Sequence, residues 1–401
     1  AWTSSWPYGY ASWALRLRFL SLPRSSFTIM MALVMAVIAC SSILLAKEYI
    51  SANVYKSARK KLIIINLVAI VGFAVLYPKI LDFEYAPILI KLVVMWYVLQ
   101  AFLSIIALLV KIFRLIYEKT SGTKVDESRR RFLHGVIWVP AISATLYGGL
   151  YESRNIEFVE QDIDCSAFPK LNGLKIAHLT DVHLGNFFSV RQFYEILNEI
   201  AHKAQDMLVI TGDIFDSGKI NDEAIKILNA FTPYFPFGVY FCWGNHEHIR
   251  GIKHLQEALS KTNIKVLNNQ SIKILSGDKP LYLLGVDYVD ERGGQESANM
   301  REQYLQKALK DVPEDAYKIL LAHHSIFIDE AFKHNINLTL TGHTHGGQFA
   351  FLGIPIIPMF KYMRGRFEQN NSIGYVSNGA GSWFPYRIGC PPEVTFFNFK
   401  A

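Results

Sequence analysis

Apolar positions follow two different rhythms along this chain, and the change comes near residue 152. Before it, long stretches carry no charge: Phe27 to Ala46, Leu62 to Tyr77, Leu92 to Val110 and Phe132 to Tyr151. A helix needs about 20 predominantly apolar residues to cross roughly 30 Å of hydrocarbon. Three of the stretches reach that length unaided, and the second reaches it as Leu62 to Leu81 with Pro78 and Lys79 at its boundary. None has the polar face of an amphipathic helix. The pattern predicts four transmembrane helices within a membrane domain at 1–151. After a short acidic linker at 152–170, the apolar runs become short and β-branched: Gly173 to Thr180, Met207 to Thr211, Gly238 to Trp243, Lys318 to Ala322 and Ile336 to Thr341. Runs of this length bounded by polar residues predict buried strands of an α/β domain over 171–401.

Each run delivers a polar motif. In order they are Asp181-Val182-His183, Gly212-Asp213, Gly244-Asn245-His246-Glu247, His323, and Gly342-His343-Thr344-His345. Sites in α/β proteins are built in the loops at the carboxyl ends of strands. One Asp after a strand is commonly a helix cap, and one His is commonly a satisfied loop residue; five strands aiming such residues at one place is a different matter. Carboxylate and amide oxygens with imidazole nitrogens, and no cysteine, suit Mn, Zn or Fe. The chemistry implied is metal-assisted hydrolysis of a phosphate ester.

These motifs resemble the calcineurin-like metallophosphoesterases, whose pattern runs D-x-H, G-D, G-N-H-E/D, H and G-H-x-H. Gly342 to Gln348, Val376 to Gly381 and Pro391 to Val394 further resemble the membrane-anchored bacterial branch. The resemblance covers roughly Leu171 to the C-terminus and implies two packed β-sheets flanked by helices. It implies that Asp181, His183, Asp213 and His345 hold one divalent metal ion while Asp213, Asn245, His323 and His343 hold a second. Asp213 would bridge, because two cations about 3.5–4 Å apart need an anionic oxygen between them. His246 would protonate the leaving oxygen, as a histidine can near neutral pH, or orient its neighbours. Asp216 and Glu247 are expected to accept hydrogen bonds that hold imidazoles or loops in place. His324 is a bystander or substrate contact, and Ser325 stands where many relatives carry proline.

Charge placement adds orientation. The first connection carries Lys47, Lys56, Arg59, Lys60 and Lys61, and the third carries Lys111, Arg114, Lys119, Lys124, Arg129, Arg130 and Arg131. The second has only Lys79 and Lys91, beside Asp82 and Glu84. The positive-inside rule then places the first and third connections in the cytoplasm and the catalytic domain on the extracytoplasmic face of a bacterial-type membrane; Arg16, Arg18 and Arg24 argue the other way and are outvoted. Ser128-Arg129-Arg130-Arg131-Phe132-Leu133 resembles a twin-arginine export signal in an internal position, and reads equally well as a basic membrane boundary. A hydrophobic content of 51% with 19% charge fits a membrane part plus one water-facing domain. The net charge of +7 is partly membrane-flanking and is no nucleic-acid footprint; the catalytic half has no dense basic stripe with stacking aromatics.

The substrate expectation is a phosphorylated small molecule or lipid. Phe349 to Phe360 is apolar and broken by Gly and Pro, and Lys361, Arg364 and Arg366 follow it. Such a loop with a basic edge would dip among membrane lipids, or pack on the domain's own core. Two alternatives stand beside this reading. One is hydrolysis of a UDP-linked diacylglucosamine pyrophosphate, against which an outward domain would count. The other is a non-catalytic sensor or transport module with a metal-binding regulatory domain, which no charge within the spans supports.

Overall fold

The computed structural model describes residues 24–77, 85–185, 187–218, 220–290, 293–356, 358–382 and 384–401. Four helices come first: α1 Arg24–Leu45, α2 Ala52–Leu76, α3 Ala86–Ser121 and α4 Glu127–Leu146. Among the described residues three helical stretches are long and apolar enough to cross a membrane: Thr28–Glu48, Ala86–Ser121 and Phe132–Arg154. The uncharged part of α2 runs only from Leu62 to Leu76 before the described segment ends. Pro78, Lys79, Leu81, Asp82 and Glu84, on which the expected second span and its outer loop depend, lie outside the described residues, as do Arg16 and Arg18.

α1 packs on α2 and α3, and α4 packs on α3. Inside the bundle Asn66 and Gln100 exchange amide hydrogen bonds at 2.8 and 3.2 Å, and Trp96 Nε1 donates to Asn66 Oδ1 at 3.1 Å. Paired amides satisfy each other where no water can, which pins α2 to α3. At one end Arg114 reaches Glu48 at 2.9 Å, so the basic first and third connections share that end. At the other end the bundle meets the α/β domain through an apolar cluster of Met35, Phe73, Ala86, Ile90 and Tyr386, on which Phe349 also packs.

The α/β domain is two six-stranded sheets. Its strands in chain order begin with β1 Glu157–Asp164, β2 Lys175–Leu179, β3 Met207–Ile210, β4 Gly238–Phe241 and β5 Ile264–Val266. β6 Gln270–Leu275, β7 Leu281–Gly285, β8 Tyr317–His324 and β9 Leu338–Gly342 follow. A small hairpin, β10 Ala350–Phe351 and β11 Ile354–Pro355, precedes β12 Gly365–Gln369, β13 Ser372–Val376 and β14 Glu393–Lys400. The first sheet has the order β1-β14-β2-β3-β4-β5 and the second β12-β13-β9-β8-β7-β6. β2 to β5 are mutually parallel, as are β7, β8, β9 and β13, so the motif-bearing ends of five strands point the same way.

The sheets face each other across a core in which Ile176, Val209 and Phe397 of one meet Leu283, Leu321 and Leu340 of the other. α5 Val190–His202, α6 Asn221–Phe231 and α8 Ile252–Ser260 cover the first sheet with residues such as Phe193, Leu197, Leu228 and Leu255. On the outside of the second, Leu305 of α9 Gln295–Leu309 and Phe327 of α10 Phe327–Lys333 bury against Leu284 and Leu320. One short helix needs early mention for the site: α7 Asn245–Arg250 follows β4 after the short link Cys242 to Gly244, and its first residue is Asn245.

One boundary differs from expectation. Residues 157–164, expected in the linker, form β1 and pair in parallel along the whole of β14, from Glu157 opposite Glu393 to Asp164 opposite Lys400. Ile163, on the same side of the strand as Val159 and Gln161, buries in the core between the sheets, while Glu160, Asp162 and Asp164 on the other side face water.

Candidate metal centre

The five motifs converge. One constellation gathers Asp181 Oδ1, His183 Nε2 and His345 Nε2: the two imidazole nitrogens are 3.0 Å apart, and Asp181 Oδ1 lies 3.8 and 3.4 Å from them. The other gathers Asn245 Oδ1, His323 Nε2 and His343 Nδ1, mutually 3.0 to 3.1 Å apart. Asp213 Oδ2 belongs to both, 3.2 Å from His323 Nε2 and 3.8 Å from His183 Nε2. Donor atoms about 2.0–2.2 Å from one cation sit roughly 3–3.5 Å from one another. Each of these residues is almost wholly buried. Among the described residues, Asp181 Oδ1 is buried with no hydrogen-bond donor beyond the imidazoles it faces. An orphaned carboxylate oxygen costs several kcal/mol on the order of a lost charged hydrogen bond, so these residues fit divalent cations.

The backbone is bent to make this possible. Asp181, His183, Asp213, His343 and His345 all have positive φ, between 50° and 71°. Left-handed geometry in such residues costs about 1 kcal/mol or more each and persists where the surroundings enforce it. The motif glycines follow from the same crowding. A Cβ on Gly342 would collide with the Asp181 carboxylate and Thr180 Oγ1, and one on Gly244 with the Asp213 carboxylate.

Surrounding groups fix each donor. Thr180 Oγ1 and the His343 N–H donate to Asp181 Oδ2 at 2.7 and 2.9 Å, which leaves Oδ1 for the cluster. The His246 N–H donates to Asp213 Oδ1 at 2.8 Å, leaving Oδ2. His323 Nδ1–H donates to the Thr211 carbonyl at 2.7 Å, so Nε2 is the ring nitrogen that faces inward. Glu247 accepts four backbone N–H bonds, from Asp213, Ile214, Phe215 and Gly244 at 2.8 to 3.1 Å, and so ties the β3 loop to the β4 loop. Burial, and then the nearby Asp213 carboxylate, push the Glu247 carboxyl up, while those N–H groups oppose the shift.

Asp216 forms the rim. Its carboxylate meets His246 Nδ1 at 2.6 Å, Arg250 Nε at 2.9 Å and His183 Nδ1 at 3.2 Å. Burial raises it, but the His246 and His183 rings hold it well below the usual carboxylate range. His246 is partly exposed, and its Nε2 lies 4.0 Å from Asp213 Oδ2. Burial depresses His183 and His323, yet the carboxylates win: hydrogen bonds to Asp181 and Asp216 push His183 up to about 10, and Asp213 pushes His323 up to about 9. Burial, then the charged His323, holds His343 down to about 3.

The other expected residues divide. His324 is buried beside the cluster, its ring 4.4 Å from that of His343, with Nδ1 accepting the Ile326 N–H. Lys361 binds Asp329 at 2.6 Å, Arg364 donates to the Gly389 carbonyl at 3.0 Å, and Arg366 pairs with Glu368 and donates to the Asp162 carbonyl. Their partners lie outside the His/Asp cluster. Ser325 donates to the Tyr362 carbonyl at 2.9 Å, anchoring the segment that carries them.

Several residues were not singled out by sequence. Arg387 is fully buried behind His345, 3.2 Å from its Nδ1, with no carboxylate ion-pair partner among the described residues; its Nη2 donates to the carbonyls of Gly381 and Asn378 at 2.6 and 2.8 Å. Held by these carbonyls, the guanidinium is fixed against the Nδ1 edge of the His345 ring. Tyr288 stands over the second constellation, 5.9 Å from the His343 ring and 6.1 Å from that of His323. Phe360 packs edge-on against His324 and His343 at 5.4 and 5.3 Å. An isolated Arg, Tyr or Phe in a loop carries no spacing signal; only the Pro-rich and Gly-rich company of Arg387 hinted at an ordered loop.

Clustered His and Asp donors on the parallel strand ends of a two-sheet α/β domain define a class of metal-dependent phosphoesterase, and sequence comparison agrees. The calcineurin-like phosphoesterase family model matches residues 174–347. An uncharacterized metallophosphoesterase of Aquifex aeolicus is 31% identical over 243 residues, 60% of this chain and 90% of that protein. The uncharacterized metallophosphoesterase YkuE of Bacillus subtilis is 28% identical over 68% of this chain and 98% of its own length. A bovine transmembrane protein with metallophosphoesterase domain is 29% identical over 58% of this chain, which spans 54% of it. Among solved structures, the NAD nucleotidase of Haemophilus influenzae matches with a TM-score of 0.35 and 18% identity, over 53% of this chain and 45% of that one. The chain belongs to the calcineurin-like metallophosphoesterases, here joined to apolar helices suited to a membrane.

Proposed function

We propose that this protein hydrolyses a phosphoester or pyrophosphate carried by a membrane-resident substrate, using two divalent cations in the paired constellations. The observation that carries the proposal is Asp213 Oδ2, placed to serve both donor sets at once. Asp181, His183, Asp213 and His345 would hold one ion, and Asp213, Asn245, His323 and His343 the other. Mn, Zn and Fe all suit four imidazoles, two carboxylates and a carboxamide. When bound, the ions supply Lewis acidity to the phosphoryl oxygens and an activated water.

The chain's own residues do the rest. Asp216 fixes His246 with its Nδ1 proton held at 2.6 Å, so Nε2 faces the cluster as the group that protonates the leaving oxygen. Tyr288 and Phe360 wall the second constellation and limit its contact with water. The bundle gathers its basic connections at the end away from the catalytic domain, which favours an extracytoplasmic site by the positive-inside rule. A domain held at the bilayer also meets lipids at high effective concentration.

The test is turnover of a phosphodiester and a phosphomonoester reporter by the full chain in nanodiscs, metal-stripped and then resupplied with Mn, Zn or Fe. Asp213→Asn should lower turnover by on the order of a thousandfold, about 4 kcal/mol of barrier, and reduce bound metal below two ions. Two ions bound without turnover of either reporter would favour the regulatory reading.

A further inference from the structure

The segment from Phe349 to Phe360 joins two places that matter. Its first residue packs on the apolar cluster formed by the ends of α1, α2 and α3, stacking on Tyr386 with ring centroids 5.4 Å apart. Its last packs on His343 and His324 of the metal centre. Between them stands the β10–β11 hairpin, which pairs Ala350 with Pro355 and Phe351 with Ile354. The outward side chains are all apolar and open: Phe351 is 71% exposed, Leu352 85%, Ile354 62% and Ile356 59%.

The turn itself is informative. Leu352 and Gly353 are its two central residues, with φ of 50° and 81°. Two-residue turns with both φ positive favour Asn-Gly or Asp-Gly, whose first residue tolerates the left-handed region and is hydrated in water. Leucine carries the backbone penalty there and offers water nothing in return. A cluster of four large apolar side chains on a rigid stem, with leucine at the strained apex, suits an apolar medium rather than solvent. That medium is at hand: the helices that hold the hairpin's root expose Ile29, Leu33, Val37, Ile88 and Leu92 at the same end of the bundle.

We infer that the β10–β11 hairpin is inserted in the leaflet that surrounds the outer ends of the membrane helices, and that it guides a phosphoester lipid of that leaflet to the metal centre along the segment ending at Phe360. The delivery half rests on the function proposed above; the insertion half does not.

The experiment uses the full chain in vesicles of phosphatidylethanolamine and phosphatidylglycerol, with Cys40→Ser to remove the exposed thiol. A fluorophore at Leu352→Cys should be quenched several-fold more strongly by acyl-chain nitroxide lipids than one at Lys253→Cys on the exposed face of α8. Equal quenching at both positions would overturn the insertion. Leu352→Asn suits the turn, so it preserves the hairpin while making its apex polar. That variant should lose tenfold or more of its turnover of a vesicle-embedded lipid phosphodiester, with a water-soluble phosphodiester hydrolysed as before. A parallel loss of both, or of neither, would overturn delivery. If the wild-type chain hydrolyses neither reporter, the phosphoesterase reading fails and delivery with it, while the quenching result still decides the insertion.

Discussion

Glu247 is the residue on which the geometry of the metal centre depends most, although it lies outside both donor sets. Its two carboxylate oxygens accept two backbone N–H bonds each: Asp213 and Gly244 at 2.9 Å on one, Ile214 at 2.8 Å and Phe215 at 3.1 Å on the other. Glu247→Gln keeps the shape but replaces one oxygen by an NH2 group. Whichever way the amide turns, two buried N–H groups lose their acceptor and face a donor. Hydrogen bonds to a charged partner contribute about 1.5–3 kcal/mol each, so the gross loss is roughly 3–6 kcal/mol. Removing a buried charge returns part of this, leaving a net cost of about 2–4 kcal/mol. That is a large fraction of the roughly 5–15 kcal/mol that holds a domain folded. Hydrogen exchange read by mass spectrometry is the assay, because the four amides are the groups at risk. The variant should exchange the amides of Asp213 to Phe215 and Gly244 faster by on the order of 30-fold or more, with lower metal occupancy, while the β7–β8 core stays protected. Unchanged protection at these amides, with a thermal midpoint within a degree of wild type, would refute the reasoning.

Two further outcomes follow from the same geometry. His246→Ala should lower kcat by about 10²–10⁴-fold while bound metal stays at the wild-type level; metal loss in step with activity would instead make His246 a structural support. Metal loading should release protons. The neighbouring carboxylates push His183 up to about 10 and His323 up to about 9, so both are charged at pH 7.5 before a cation binds, and each must become neutral to ligate one. Calorimetry in buffers of different ionisation enthalpy should find about two protons released per chain at pH 7.5 when both ions load, one from each constellation, falling towards zero above about pH 10, with affinity rising as pH rises through that window. Release of no protons at pH 7.5 would contradict the charge state assigned to the two rings.

What could be read from sequence was whatever is local and periodic. Uncharged stretches marked the helices, and the donor residues were visible because each ends an apolar run that the sheet buries. Much of what makes them a site is not local. β1 was hidden because Glu157, Glu160, Asp162 and Asp164 look like a solvated linker, and its partner β14 begins at Glu393, at the other end of the catalytic domain. The left-handed backbone of Asp181, His183 and Asp213 is imposed by crowding between loops from different strands. Lys361 and Arg366 sit close in sequence to the apolar hairpin, yet one is paired with Asp329 and the other reaches towards β1. A charged side chain's neighbours in sequence say little about where its partner stands.

The buried Arg387 changes how the two halves of the chain relate. Its neighbours clamp the end of α4: Tyr386 Oη donates to the Ala144 carbonyl at 2.8 Å, the Arg387 N–H reaches the Gly148 carbonyl at 3.4 Å, and the Cys390 N–H donates to Glu152 Oε1 at 2.7 Å. A Cβ on Gly148 would press on the Tyr386 ring and the Arg387 carbonyl, so glycine is what allows the approach. From that clamp the Arg387 side chain extends to the back of His345. The apolar helix α4 therefore ends one residue layer behind an imidazole of the His/Asp cluster. A loose tether would merely raise the local concentration of substrate. A clamp of this kind also fixes the His/Asp cluster relative to the end of α4 and keeps the hairpin of Phe351 to Ile354 near the helices on which Phe349 packs. The apolar helices are thus part of the architecture that positions the His/Asp cluster, and the full chain, rather than the excised α/β domain, is the unit whose activity reports on it.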